Sequence, residues 1–243
     1  RVFLRRDLWP RLLLIGPLDA GSLLAYFLAI RLTSVAVATF LFFMQPVWVA
    51  VLAHLLLKTR TEKVVYLSLA VALAGLAIII LPSLLSEGVS LSAIGIVAGL
   101  AGGWLYAFFQ LLVKSFTQQL ESTTIVTVEC TVDAIVILPL ALVQFIGLGA
   151  TLTDRDLLAA VILGLVCTAL AYTLWVEGVA RIPVQHSSIL GFLTPVVAPM
   201  VAWALLGQSI TTAIAVGGAL IIAAGVLVML FGAPKAELEP TVS

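Results

Sequence analysis

Residues 189–207 read ILGFLTPVVAPMVAWALLG, an apolar run that a proline interrupts near its middle. Residues 40–58, FLFFMQPVWVAVLAHLLLK, repeat this pattern when Pro46 is aligned with Pro195. Further along both copies, with a slip of one residue, the alignment also pairs two Ala-Gly dipeptides. The chain therefore contains a long-period internal repeat built around a proline-interrupted apolar segment.

The composition is that of a membrane protein. Hydrophobic residues make up 63% of the chain, charged residues only 10%, and the mean hydropathy is +1.25. The apolar share is above that of ordinary soluble domains and the charged share is below it, and the apolar runs are long enough to cross a bilayer. Twelve basic residues balance twelve acidic ones, so no net charge indicates a nucleic-acid partner. Two histidines and two cysteines show no spacing typical of a metal site, and we expect neither a metal nor a cofactor.

The hydropathy pattern predicts an all-α polytopic transmembrane bundle of eight helices. Each predicted helix has roughly the twenty residues that the hydrocarbon core requires. None of the connecting segments is long enough for a separate soluble domain. The predicted helices are residues 11–30, 35–57, 64–82, 93–113, 123–146, 157–180, 184–206 and 213–231.

The basic residues predict the orientation. With the N-terminal end in the cytoplasm, ten of the twelve Lys and Arg residues fall on the inner side and only Arg31 and Arg155 on the outer side. Helices one to three match helices six to eight, and this odd offset gives the two copies opposite orientations. Inverted repeats around a site at the midplane are a recurring architecture of secondary transporters.

The five-helix period also predicts how the chain is divided. Residues 83–232 hold one complete unit of five helices, residues 1–82 hold the last three helices of a preceding unit, and residues 233–243 form a cytoplasmic tail. Two helices are missing from the first unit. We therefore expect the chain to derive from a ten-helix parent.

Carboxylates deep in the apolar helices are the first candidates for function, because a charged group costs several kcal/mol there unless it has a partner. Asp19 and Asp133 both fall near the middle of their predicted helices. They are interpreted either as protonatable groups that couple proton uptake to transport or as carboxyls satisfied by a neighbouring helix. Glu129 lies one turn before Asp133 on the same face, although it is also close enough to the helix end to reach the interface.

The proline-interrupted helices carry a second set of candidates. Gln45 precedes Pro46, and a proline frees a backbone carbonyl one turn earlier, where an amide can help to line a polar cavity. Thr194 precedes Pro195 in the second copy. These residues are interpreted as hinges or substrate contacts, with simple packing kinks as the alternative.

Charged and aromatic residues complete the list. Glu177 and Arg181 are four residues apart at the inner end of helix six, which indicates a surface ion pair or a cytoplasmic gate. Tyrosines and tryptophans form either a substrate cavity or the aromatic belts found at membrane interfaces. These aromatic residues are Tyr26, Trp104, Tyr106, Tyr172 and Trp175.

Glycines at four-residue spacing mark one face of helix four. Gly95, Gly99 and Gly103 form this smooth face, which predicts close helix packing. The packing serves either a contact within the bundle or a homodimer interface. Both the monomer and the homodimer stay open.

Two segments carry a family resemblance. AYTLWVEGVARIPVQHSSILGFLTPVVAPMVAWALLGQSIT, residues 171–211, and AYFLAIRLTSVAVATFLFFMQPVWVAVLAHLLL, residues 25–57, resemble the EamA branch of the drug/metabolite transporter superfamily. The resemblance covers essentially the whole chain, as helices three to ten of the ten in that family. It implies a transporter in the cell membrane that moves small organic metabolites or drugs, as an exporter or as an exchanger.

Other functional classes have less support in the sequence. No Walker-type GxxxxGK[ST] run, HExxH motif or GxSxG elbow is present, so neither ATP hydrolysis nor an intramembrane enzyme is expected. A structural or regulatory membrane subunit fits the hydropathy equally well. That class, however, leaves the inverted repeat and the carboxylates within apolar helices unexplained.

Overall fold

A computed structural model describes residues 8–56, 62–86, 92–148, 153–207 and 209–232. Within these ranges the chain is helical throughout, without strands, and it contains eight helical spans that are long and apolar enough to cross a membrane. The predicted number of helices is confirmed. The expected cytoplasmic tail, residues 233–243, lies outside the described residues. The spans are Trp9–Leu32, Val35–Ala53, Lys63–Leu85, Ala93–Phe116, Ser122–Gly147, Asp154–Arg181, Val184–Leu205 and Thr212–Phe231.

Several spans consist of more than one helix. The α-helices, in chain order, are α1 Trp9–Leu12, α2 Ile15–Leu32, α3 Val35–Phe42, α4 Gln45–Leu56, α5 Lys63–Ser86, α6 Ala93–Phe116, α7 Ser122–Leu148, α8 Asp154–Ile162, α9 Ala171–Arg181, α10 Val184–Leu190, α11 Thr194–Leu206 and α12 Thr212–Phe231. A π-helical segment, Leu163–Leu170, joins α8 to α9. A 3₁₀ turn, Gly191–Leu193, joins α10 to α11.

Local sequence determines where many of these helices begin and end. The Ser34 hydroxyl accepts a hydrogen bond from the Val37 amide at the start of α3, and Thr211 caps α12 in the same way. Thr153 and Asp156 form a capping box at the start of α8. Gly207 ends α11 in the left-handed conformation, with φ of 67°, which glycine adopts without steric cost.

The prolines of the repeat stand where helices restart. Pro46 is the second residue of α4, and Pro195 is the second residue of α11. A proline near a helix N-terminus costs no hydrogen bond, because the first amides of a helix have no partner inside it. Both copies of the repeated segment are therefore interrupted helices rather than continuous helices with a kink.

The chain divides into two compact units. Unit 1 comprises residues 1–21 and 111–181, and unit 2 comprises residues 22–110 and 182–243. Two of the three boundaries fall inside α2 and α6, and the third falls between α9 and α10. Each unit combines two separate segments of the chain, whereas each predicted repeat is one continuous segment. The inverted relation of the two repeats stays a prediction.

Unit 1 has a close helix crossing at Gly16 of α2. A Cβ atom placed on Gly16 would lie 2.6 Å from Val132 Cγ1 and 3.1 Å from the Asp133 backbone nitrogen. Only a residue without a side chain lets α2 approach α7 to this distance. The crossing brings the following turn of α2, which carries Asp19, next to the middle of α7.

Unit 2 is built around the packing of α5 against α12. A Cβ atom on Gly75 would lie 2.6 Å from the Gly217 carbonyl oxygen, and a Cβ atom on Gly217 would meet the Gly75 carbonyl oxygen in turn. We call this reciprocal contact the glycine crossing. Buried apolar side chains surround it, with burial near complete at Leu76, Phe192, Ile221, Ala224 and Val228.

The glycine face of α6 packs inside unit 2. A Cβ atom on Gly95 would lie 2.7 Å from Thr33 Cγ2, and one on Gly99 would lie 2.9 Å from Leu41 Cβ. At Gly103 it would lie 2.7 Å from the carbonyl oxygen of Phe42, the last residue of α3. The face therefore serves packing within the chain, the first of the two predicted uses.

Candidate functional site

The predicted site residues fall into both units. Asp19, Glu129 and Asp133 belong to unit 1, together with the residues of α9, which are Tyr172, Trp175, Glu177 and Arg181. The remaining candidates belong to unit 2, and these are Gln45, Pro46, Tyr106, Thr194 and Pro195. Each unit is described by itself below.

Three carboxylates of unit 1 converge on one point. One oxygen atom from each of Asp19, Glu129 and Asp133 lies within 4.8 Å of the other two. Asp19 and Glu129 are buried, with 1% and 0% of their surface exposed, and Asp133 is half-buried. We call these three residues the carboxylate cluster.

Local geometry explains why these three residues meet. Glu129 and Asp133 are one turn apart on the same face of α7, as their spacing predicts. Asp19 joins them because α2 crosses α7 closely at Gly16, one turn earlier. The interfacial alternative for Glu129 is wrong, because its side chain is fully buried against the other two carboxylates.

The three carboxylates have different hydrogen-bond partners. The Tyr172 hydroxyl donates to Asp19 Oδ2 at 3.4 Å. The Asp133 carboxyl faces the Asp19 side chain and lies within hydrogen-bonding reach of the Ala20 backbone amide. Neither oxygen of Glu129 meets a hydrogen-bond donor among the described residues. A buried acceptor without a donor is rare in native proteins and calls for a functional explanation.

Electrostatic repulsion decides what this arrangement can do. At a separation of about 5 Å, two like charges repel by about 3 kcal/mol even when the effective dielectric constant is about 20. Three ionised carboxylates at these distances would repel pairwise. Protonation or a bound cation removes this repulsion, so the cluster is suited to taking up positive charge.

An open groove of about 680 Å³ runs along another part of α7 in unit 1. Its polar residues are mainly threonines, and three of these bond to backbone carbonyls one turn earlier in the same span. Thr127 and Thr131 each donate to the carbonyl four residues earlier, and Thr173 donates to that of Ala169. These bonds leave a largely apolar wall, which the sequence did not predict. The lining residues are Thr123, Val126, Thr127, Cys130, Thr131, Ala134, Ile135, Leu138, Ala169 and Thr173.

Two basic residues contact the C-terminal end of α9. Arg181 pairs with Glu177 at 2.7 Å, as the spacing predicts, and both side chains are substantially exposed. Lys114 of α6 is buried, and its ammonium donates to the carbonyl oxygens of Val179 at 2.9 Å and Ala180 at 3.4 Å. The sequence analysis did not identify Lys114, because a lysine near a helix end normally extends to water.

The candidates of unit 2 lie near the helix interruptions. Gln45 is buried, its Oε1 meets no donor among the described residues, and its Nε2 lies 3.7 Å from the position a Cβ atom would take on Gly191. Gly191 begins the 3₁₀ turn that precedes α11. Thr194, at the start of α11, is exposed. Gln45 therefore faces the interruption in the other copy of the repeated segment.

The aromatic candidates are described within each unit, and the shared cavity stays a prediction. In unit 2, Phe42 packs against Tyr26 and Tyr106 with ring centroids 5.0 and 5.5 Å apart, and the Tyr26 hydroxyl lies 3.0 Å from Thr39 Oγ1. In unit 1, the ring centroids of Tyr172 and Trp175 lie 6.4 Å apart. Trp104 is 42% exposed and contacts Phe108. Trp104 is thus placed as an interfacial or lipid-facing residue would be.

Comparison with known proteins agrees with this architecture. The profile of the EamA-like transporter family matches residues 2–81 and 93–231. An uncharacterised transporter of Archaeoglobus fulgidus is 30% identical over 204 residues, which cover 84% of this chain and 70% of that protein. The uncharacterised transporter YwfM of Bacillus subtilis is 24% identical over 230 residues, which cover 94% of this chain and 75% of that protein.

A solved crystal structure supports the fold independently. It superposes with a TM-score of 0.75 at 19% sequence identity, and the match covers 91% of this chain and 78% of that structure. Eight apolar spans and the family match together identify a multi-pass integral protein of the cell membrane. The chain belongs to the EamA-like transporter family, and it is a membrane transporter by that membership.

Proposed function

We propose that this protein is a secondary transporter that exports or exchanges small organic metabolites or drugs by alternating access, and that the carboxylate cluster takes up the coupling proton. The observation that carries the proposal is the convergence of Asp19, Glu129 and Asp133 within the transmembrane helices. Ionisable residues inside the membrane are costly and mark ion pathways and proton relays. A purely structural subunit gains nothing from ionisable groups inside the membrane, because such groups destabilise it.

The residues around the cluster support a role in coupling. The Tyr172 hydroxyl donates a hydrogen bond to Asp19, so a change in the charge of Asp19 alters the strength of a bond made by α9. Trp175 packs beside Tyr172 on the same helix and adds an aromatic surface. Aromatic rings next to carboxylates suit flat or cationic organic substrates.

The interrupted helices of unit 2 support a substrate path. Gln45 presents a buried amide oxygen without a donor at one interruption, close to the backbone of the other at Gly191. Secondary transporters commonly bind substrates and ions at discontinuous helices, because the helix ends expose backbone groups. Pro46 and Pro195 maintain these interruptions, and Tyr106 and Thr194 complete the proposed path.

Glu177 and Arg181 are proposed to have a minor role. Both side chains are exposed, with 41% and 69% of their surface accessible. Exposed ion pairs contribute little because water screens them. The geometry favours an ordinary surface ion pair over a cytoplasmic gate.

A flux assay in proteoliposomes tests the proposal. The purified protein is reconstituted, a pH gradient is imposed, and uptake is measured for a panel of labelled amino acids, organic cations and drugs. Asp19→Asn and Asp133→Asn are expected to reduce gradient-driven flux at least about tenfold, since each removes a charge from the cluster. The matched control, Asp154→Asn, changes an exposed aspartate at the start of α8 and is expected to transport normally.

The outcomes separate the competing functions. Flux that survives both cluster substitutions would retain the transporter and exclude the cluster from coupling. Absence of flux for every solute, combined with stable co-purification of another membrane protein, would favour the structural or regulatory subunit instead.

A further inference from the structure

The carboxylate cluster consists of two facing aspartates and a third carboxylate, Glu129, neither of whose oxygens meets a donor among the described residues. Asp19 and Asp133 face each other, with Tyr172 and Ala20 as additional partners. Glu129 enters from one turn earlier on α7, is fully buried, and brings two oxygens that meet no hydrogen-bond donor among the described residues. The charged groups that act on Glu129 are Asp19 and Asp133, and both are acidic. The pair alone explains neither the position nor the burial of Glu129.

The distances within the cluster suit a particular size of ion. Three oxygen atoms that lie no more than 4.8 Å apart can all lie within about 2.8 Å of a single point. Ca²⁺ binds oxygen at about 2.3–2.6 Å, and Na⁺ has nearly the same ionic radius. Mg²⁺ gives up its water reluctantly and is usually bound by proteins through only one or two carboxylates, so a buried site with three carboxylates does not favour it.

The donor atoms suit a particular kind of ion as well. All three are carboxylate oxygens, which are hard ligands that alkali and alkaline-earth cations prefer over soft transition metals. The Cys130 sulfur, next to Glu129 in the chain, is not among the converging atoms.

We infer that Asp19, Glu129 and Asp133 form a binding site for one oxygen-preferring metal cation of the size of Na⁺ or Ca²⁺. The ion accepts one oxygen from each carboxylate and offsets their mutual repulsion. Tyr172 holds Asp19 in place through its hydroxyl. Water or substrate supplies the remaining ligands of the ion.

The site deepens the proposed function and rests on it in one respect only. If the protein is a secondary transporter, the bound cation is a coupling ion that competes with the proton for the same oxygens. Binding itself does not require transport. A direct binding measurement therefore distinguishes failure of this inference from failure of the proposed function.

The test uses the full chain, purified in detergent, at one fixed pH and at constant ionic strength maintained with choline chloride. Radioactive Na⁺ and Ca²⁺ are each titrated in a scintillation proximity assay, and the thermal unfolding midpoint is recorded over the same series with MgCl₂ as a further arm. We expect saturable binding of Na⁺ or Ca²⁺, and a rise in the midpoint with that ion, because a ligand that binds the folded state stabilises it. Mg²⁺ is expected to have a smaller effect.

Two isosteric variants locate the site. Glu129→Gln and Asp133→Asn are each expected to weaken binding at least about tenfold, because each removes a charged ligand. Glu121→Gln changes an exposed glutamate just before α7 and serves as the matched control with unchanged binding. If Glu129→Gln fails to fold, Asp133→Asn still decides the question, since Asp133 is only half-buried.

Each outcome decides for or against the inference. Absence of saturable binding of both ions to the wild-type protein overturns it, and so does wild-type affinity in both cluster variants. Saturable Na⁺ binding identifies a monovalent site, and saturable Ca²⁺ binding identifies a divalent one. Ion binding without flux of any solute retains the site and refutes only the proposed transport function.

Discussion

In unit 1 three carboxylates lie within 4.8 Å of one another inside apolar helices, whereas in unit 2 the helices α5 and α12 meet at the glycine crossing. Both features depend on glycines that let two helices approach. At Gly16 the approach brings polar side chains together, and at Gly75 and Gly217 it brings backbones together. Close helix packing at glycines therefore brings acidic side chains together in unit 1 and stabilises the helix packing of unit 2.

This contrast has a physical reason. Lipid is as apolar as a leucine side chain, so helices in a membrane gain little from burying apolar surface against each other. Close van der Waals packing at small residues supplies the stability instead. A cluster of like charges supplies none, because its members repel. We therefore expect substitutions in unit 2 to affect stability most and substitutions in the cluster to affect ion coupling most.

The largest effect is expected at the glycine crossing. Gly75→Val places a side chain where a Cβ atom alone would lie 2.6 Å from the Gly217 carbonyl oxygen, so α5 and α12 must separate. Overpacking of this kind costs about 3 kcal/mol. A lower thermal unfolding midpoint and loss of a monodisperse peak in size-exclusion chromatography would show it.

Gly178→Val is the matched control, because a Cβ atom on Gly178 has no neighbour within 4 Å among the described residues. Its effect is expected to stay within about 0.5 kcal/mol. Equal unfolding midpoints for Gly75→Val and the wild type would contradict the view that unit 2 is stabilised at this crossing.

A smaller loss of stability is expected from Lys114 in unit 1. Lys114→Met keeps most of the length of the side chain but removes the ammonium that bonds to the Val179 and Ala180 carbonyls. Leaving acceptors at a helix end without their donor costs about 2 kcal/mol. Chemical or thermal unfolding of the purified variant measures the change.

The control for Lys114 is Lys63→Met, which changes an exposed lysine at the first residue of α5. A loss below about 0.5 kcal/mol is expected there. Equal losses of unfolding free energy in the two lysine variants would contradict the view that the buried contact of Lys114 stabilises unit 1.

The smallest effect is expected at the surface of unit 1. Glu177→Gln removes the charge that pairs with Arg181 at 2.7 Å, but both side chains are exposed. Such exposed pairs contribute little to stability, because water screens them. Unfolding and substrate flux are both expected to match the wild type, and a clear change in flux would revive the gate.

Much of the architecture followed from periodicity and composition. The eight spans were predictable because the bilayer requires about twenty consecutive apolar residues, and such runs are visible in one dimension. Asp19 and Asp133 stood out for the same reason, as charges inside those runs. Pro46 and Pro195 marked the interrupted helices, because a proline cannot donate the hydrogen bond that continues a helix.

Other features depended on contacts that a single sequence does not show. The burial of Glu129 was ambiguous, because the position of a residue along its own helix does not reveal which other helix covers its side chain. Lys114 escaped notice because its partners are backbone carbonyls, which every residue has. The contacts within each aromatic group, such as those of Phe42 with Tyr26 and Tyr106, likewise depend on tertiary packing.

The sequence by itself determined the eight apolar spans of the described residues, and which carboxylates and prolines lie within them, because bilayer thickness and helix geometry act on local runs of residues. Only the tertiary structure decided that Asp19, Glu129 and Asp133 meet, since their meeting depends on how closely α2 crosses α7 at Gly16. That crossing is set by packing between segments more than one hundred residues apart in the chain.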